Sequence, residues 1–135
     1  MIASTVDRVA LNTPAYINAD IRRRTKQSIA QYAAKGPAAI GRRLQELDQE
    51  WDIERLLEAN AATAVMIGVA LGVTVDRKWF LFPGLVGGFL LQHALQGWCP
   101  PLPVFRRLGY RTASEINYER YALMHLRGDF NYLTK

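Results

Sequence analysis

Cysteine is nearly missing from this chain, and negative charge is missing from its middle. The single cysteine, Cys99, excludes an intramolecular disulfide and any disulfide framework. Histidine is almost as scarce: Cys99, His93 and His125 do not follow zinc-type spacing, so no metal and no cofactor is expected. Of the 12 acidic residues, only Asp76 falls between positions 59 and 105. Basic residues are as sparse there, with Arg77, Lys78 and the titratable His93 alone. The net charge of +5 raises the question of nucleic acid. No basic stripe interleaved with aromatics forms a recognisable binding module, so nucleic acid is not an expected partner. The opening "MIASTVDRVALNTPAYINAD" lacks a basic start followed by an apolar core, so no signal peptide is expected.

What fills the middle is hydrocarbon. An uncharged run at 59–75 is followed by Asp76-Arg77-Lys78 and then by a second run at 79–105. A bilayer crossing takes about 20 predominantly apolar residues, with about 17 as the lower limit. Two such runs joined by so short a turn predict antiparallel neighbours, a transmembrane helical hairpin over 52–105. Trp79 and Trp98 bracket the second run. Their separation corresponds to about 28 Å of helix, close to one hydrocarbon thickness, and tryptophan favours the headgroup boundary. Arg55, Arg106, Arg107 and Arg111 flank the hairpin on the side of the chain ends, against Arg77 and Lys78 at the turn. That asymmetry predicts a multi-pass protein with both termini in the cytoplasm. Basic flanks also suit contact with anionic membrane lipid.

Helices are expected on both sides of the hairpin. Thr13-Pro14 reads as a cap with proline at the first helical position, and Gly36-Pro37 as a stop and a restart. Ile40, Leu44, Leu47 and Trp51 then form one apolar face at i, i+4, i+7 and i+11. Residues 1–51 therefore make an amphipathic helical hairpin. Asp52 is a cap for the first span. Thr112 with Glu115 makes a capping box, and the helix it opens runs to Arg127 and stops at Gly128. Residues 106–135 are thus a C-terminal helix, and the fold class is all-α.

Small residues recur at four-residue spacing, as Gly68 and Gly72 in the first run and Gly84 and Gly88 in the second. Such positions let helix backbones approach closely and gain dispersion contact that lipid does not match. They can close the hairpin or join it to another copy, so a homo-oligomer or a place in a larger membrane complex is expected. Gln92, His93 and Gln96 form a polar cluster near one end of the second run, where a polar side chain costs energy without a partner. Interhelical hydrogen bonding explains such a cluster, and a permeation path is the functional counterpart. Cys99 stands where Pro100 and Pro101 must end the helix. A cation such as Arg106 or Arg107 would favour its thiolate, and His93 six positions earlier would be a base if the helix end brought it near.

"LQHALQGWCPPLPVFRRLGYRTASEINYERYAL" resembles the YgaP-like inner-membrane domain family of bacteria, a two-helix transmembrane domain. Gly97, Cys99 and Pro100, with Gly109 and Thr112 after them, carry the likeness, which covers about residues 52–112. The resemblance implies the bacterial inner membrane. In that family the domain is often fused to a rhodanese, is thought to dimerise, and has been suggested to help export a sulfur product. The present sequence holds no rhodanese segment and no second cysteine, so no catalytic residue carries over and no enzyme is expected. The function expected is an oligomeric membrane scaffold, anchor or conduit component. The alternative is a persulfide relay through Cys99 beside a separate sulfurtransferase.

Overall fold

The computed structural model describes residues 2–134, and every regular element among them is helical. A short helix α1 (Arg8–Leu11) precedes α2 (Ala15–Lys35) and α3 (Pro37–Gln49). Then comes α4 (Ile53–Thr74), a 3-10 turn over Arg77–Phe80, and α5 (Leu81–Gln96). The chain ends with α6 (Leu102–Arg107), α7 (Ala113–Arg127) and a 3-10 turn at Asn131–Thr134.

The stops and starts follow the local chemistry. Gly36 breaks α2 from α3 at a φ of 91°, a conformation open to glycine, and Pro37 opens α3 where its missing N–H costs nothing. Asp52 caps α4 by accepting a hydrogen bond from the Arg55 amide at 2.7 Å. The capping box at α7 is complete: the Thr112 hydroxyl accepts from the Glu115 amide, and the Glu115 carboxylate accepts from the Thr112 amide. Thr13 departs from its expected role. Its hydroxyl donates to the Val9 carbonyl at 2.7 Å and accepts from Arg106, so it does not cap α2, and Pro14 stands at the cap position.

Two packed units result. In the first, α2, α3 and α7 form a three-helix bundle. Ile40 and Leu47 of α3 meet Ile116 and Leu123 of α7, with Ile29, Tyr32 and Leu44 at the margin. The apolar face of α3 therefore has its partner inside the chain. Trp51, the last member of that face, is exposed beyond it and carries the Arg55 guanidinium 4.4 Å from its ring centre.

The second unit is the hairpin of α4 and α5. The stretch Pro37–Thr74 contains the one helical segment, among the described residues, long and apolar enough to cross a membrane. Only 17% of that apolar window is buried, which is not how a soluble core helix behaves. Met66, Val73, Leu81 and Leu91 are likewise exposed. Contiguous bare hydrocarbon of this kind suits lipid rather than water. Along the hairpin, Gly72 abuts the Phe80 ring and Gly68 abuts Pro83 and Phe82. Farther down, Glu54 meets His93. Numbers fall on one helix as they rise on the other, so the pair is antiparallel.

Glycine has opposite uses on the two helices. A Cβ on Gly68 would lie 2.6 Å from Pro83, and one on Gly72 would lie 2.8 Å from Phe80. Both α4 glycines therefore permit the close approach. A Cβ on Gly84, Gly87 or Gly88 would meet nothing within 4 Å. The α5 glycines face away from α4.

Candidate functional site

The end of α5 gathers the chemistry. Gly97 turns the chain out of the helix in the left-handed region, and its amide returns to the His93 carbonyl at 2.8 Å. The N-terminal segment covers that end. Asn12 donates to the Gln96 carbonyl at 2.7 Å, and the Ala3 amide donates to the Leu95 carbonyl at 3.3 Å. Helix-end carbonyls that would lack partners near hydrocarbon are thereby satisfied. Val9 packs into a small core with Ile53, Leu57, Cys99 and Leu102, and Trp98 and Phe105 lean against it.

Within this enclosure Nε2 of His93 lies 2.8 Å from Oε2 of Glu54, and Arg8 donates to Oε1 of the same carboxylate at 3.0 Å. His93 is only 3% exposed. An ionised carboxylate accepts and does not donate, so a neutral His93 places its proton on Nε2 and leaves the lone pair on Nδ1. Nδ1 is buried and has no hydrogen-bond partner. The Cys99 thiol, itself 5% exposed, lies near the ring but makes no hydrogen bond to it. Carboxylate, imidazole and thiol thus come together from the start of α4, the last turn of α5 and the turn beyond it.

The remaining members of the expected cluster go elsewhere. The Gln92 side chain is half-buried and that of Gln96 is exposed, and neither hydrogen-bonds to His93. Arg106 does not serve the thiol. Buried to 1%, it donates to both oxygens of Glu115 at 2.7 and 2.8 Å, to Asn18 at 2.8 Å, to Thr13 at 3.1 Å and to the Tyr110 carbonyl at 3.0 Å. Its five donors are fully engaged in joining α6 to α2 and α7, and Arg107 is exposed. The cation near the thiol-imidazole pair is Arg8, through Glu54. Neither Arg8 nor Glu54 carried a spacing signal. The one cue for Glu54 was a carboxylate placed at the entry of an apolar helix.

A second ionic cluster holds the bundle. Glu119, 0% exposed, accepts from Arg43 at 2.9 Å, from Arg111 at 2.6 Å and from Ser28 at 2.6 Å. Arg111 also donates to both oxygens of Glu50 at 2.9 and 2.6 Å. Burial pushes the Glu119 carboxyl up, but Arg43, Ser28 and Arg111 outweigh it and hold the group below the ordinary value. For Glu115, burial is likewise outweighed by Arg106 and the Thr112 cap. These pairs are structural: every acceptor is matched, and no reacting group lies among them.

An all-helical chain that carries a long, bare apolar helix has the make-up of a helical membrane protein. Residues 52–115 match the family described as inner membrane protein YgaP-like, transmembrane domain. No curated protein and no solved structure matches the chain. The matched stretch includes both Arg106 and Glu115, so the ion pair that fixes the exit is part of the domain itself.

Proposed function

We propose that this chain is a membrane-embedded thiol relay, in which Cys99 takes a sulfane sulfur from a separate persulfide donor and hands it on. The observation that carries the reading is the assembly of Glu54, His93 and Cys99, with Nδ1 of His93 left bare. Nδ1 takes the thiol proton while Glu54 steadies the imidazolium. The Cys99 thiolate attacks the outer sulfur of the donor persulfide. A new S–S bond forms at Cys99, the donor S–S bond breaks, and the donor leaves as a thiolate that recovers the proton from His93. No net oxidation occurs, since one persulfide replaces another. The chain is then a carrier and not an enzyme with turnover of its own.

A second reading concerns assembly and is compatible with the first. The Gly84 and Gly88 face of α5 is open, and small-residue faces of this spacing favour helix association in lipid. We read a multi-pass inner-membrane protein, both helices of the hairpin spanning and both termini cytoplasmic, that forms a homo-oligomer or joins a larger complex.

The test of the relay is mass spectrometry of the purified protein after incubation with a small persulfide donor. One added sulfur on Cys99 is expected, lost in Cys99→Ser and slowed in His93→Gln. Unmodified Cys99 under conditions that modify a free thiol peptide would defeat the reading. Native mass measurement in mild detergent tests assembly; a monomer without companions would defeat that part.

A further inference from the structure

A groove of 310 Å³ runs between α4 and α5 and ends at Cys99. Its walls include Leu57, Ala61 and Ala64 of α4 and Leu85 and Phe89 of α5. The α4 positions recur at i, i+4 and i+7, so the groove follows the helix axis for about two turns, roughly 10 Å. It exists because, between the Gly68–Pro83 approach and the Glu54–His93 contact, alanine at 61 and 64 leaves the space between the helices unfilled. Pro100 and Pro101 close the other end.

The setting selects the occupant. A groove in a transmembrane domain opens onto hydrocarbon, where the available filler is an acyl chain or a helix. A whole helix, about 10–12 Å across with its side chains, does not enter a slot of this volume, and only its side chains would reach in. A single extended chain fits. At that end the ligand would meet the Cys99 thiol, and Asn60 is a polar side chain on the same lining, so the head of the ligand is polar or reactive.

We propose that this groove binds one alkyl or acyl chain, so that the molecules reaching Cys99 are amphiphiles with an apolar tail and a small reacting head. The proposal rests on reading Cys99 as a reacting thiol and names the class of substrate that thiol meets. Ala61 and Ala64 set the room for the tail.

The test uses the full chain in detergent and in lipid nanodiscs, with N-methyl-, N-hexyl- and N-decylmaleimide as probes. Because long reagents also concentrate in micelles, the reference thiol is Val104→Cys in a Cys99→Ser background, at an exposed position just beyond the exit. The decyl-to-methyl rate ratio at Cys99 is expected to exceed the reference ratio by about tenfold or more, the gain of holding the reacting head beside the thiol. Ala64→Phe should bring it down to the reference, with Ala64→Leu as the milder filling if the larger one fails to fold. Equal ratios at the two thiols, or a ratio indifferent to both fillings, would overturn the proposal. So would a Cys99 that takes the methyl reagent and refuses the decyl one, the pattern of a groove already filled by a second copy's helix. A selective groove with no persulfide formation would sink the relay and leave the groove. Persulfide formation without selectivity would do the reverse.

Discussion

His93 and Glu54 stand 39 positions apart in the chain and 2.8 Å apart in the fold. The contact ties the last turn of α5 to the first turn of α4, and it fixes which nitrogen of the ring faces the thiol. Replacing Glu54 with glutamine keeps the shape and removes the charge. The Glu54→Gln variant is expected to alkylate at Cys99 about tenfold more slowly near neutral pH, the range in which base and thiolate effects act. Iodoacetamide kinetics followed by intact mass would measure it. An unchanged rate with an unchanged melting temperature would show that the carboxylate does not act on the thiol.

The two sets of glycines should separate by variant. Gly68→Val pushes a side chain into Pro83, and Gly72→Val pushes one into the Phe80 ring. Each should cost about 1–3 kcal/mol, typical of overpacking, and lower the thermal midpoint in detergent. Gly84→Val and Gly88→Val meet open space and should leave the midpoint of the isolated chain unchanged. Their effect should appear as a loss of crosslinked oligomer.

How much of this was legible depended on range. Local chemistry read well: the Gly36-Pro37 break, the Asp52 cap, the Thr112–Glu115 box and the stop at Gly128 all follow from residues within one turn of each other. Apolar periodicity also read well, because Ile40, Leu44 and Leu47 need only a partner and α7 supplies one. The site read poorly. Arg106 adjoins Cys99 in sequence as a plausible cation, yet its guanidinium is claimed by Glu115, Asn18 and Thr13, none of which any spacing links to it. Arg8 and Glu54 were silent for the same reason, since a pairing across 46 positions leaves no periodic trace. Trp98 has the position of an interfacial marker, but it packs on the Val9 core.

The buried cluster on the bundle makes a sharper stability prediction. Glu119 is shared by Arg43 and Arg111, and Arg111 is shared in turn by Glu50. Removing the Glu119 charge leaves Arg111 with Glu50 alone and Arg43 with Glu46 alone, and the loss of buried charged hydrogen bonds costs about 1.5–3 kcal/mol. Glu119→Gln is therefore expected to destabilise the bundle far more than Asp48→Asn, which touches only the surface pair with Arg120. Urea unfolding followed by far-UV circular dichroism on the detergent-solubilised chain would compare them. Equal midpoints would mean that the cluster is not a keystone of the bundle.

Acid should find the same weakness. The carboxyls of Glu115 and Glu119 are held below their ordinary value of 4.5 in the folded chain by Arg106, Arg43 and Arg111. The unfolded chain binds protons at that ordinary value, so it gains protons first as the pH falls. Stability from both groups is whole above about pH 4.5 and drains away as the pH drops from there through the depressed folded values. The neutral-pH plateau should therefore break on the acid side, with the melting temperature falling steeply below about pH 4.5. In Glu119→Gln the acid slope should be shallower, because one of the carboxyls held low is gone while Glu115 remains. Melting temperatures measured at constant ionic strength across this range would check it, and equal slopes in the two proteins would remove Glu119 from the account of acid unfolding.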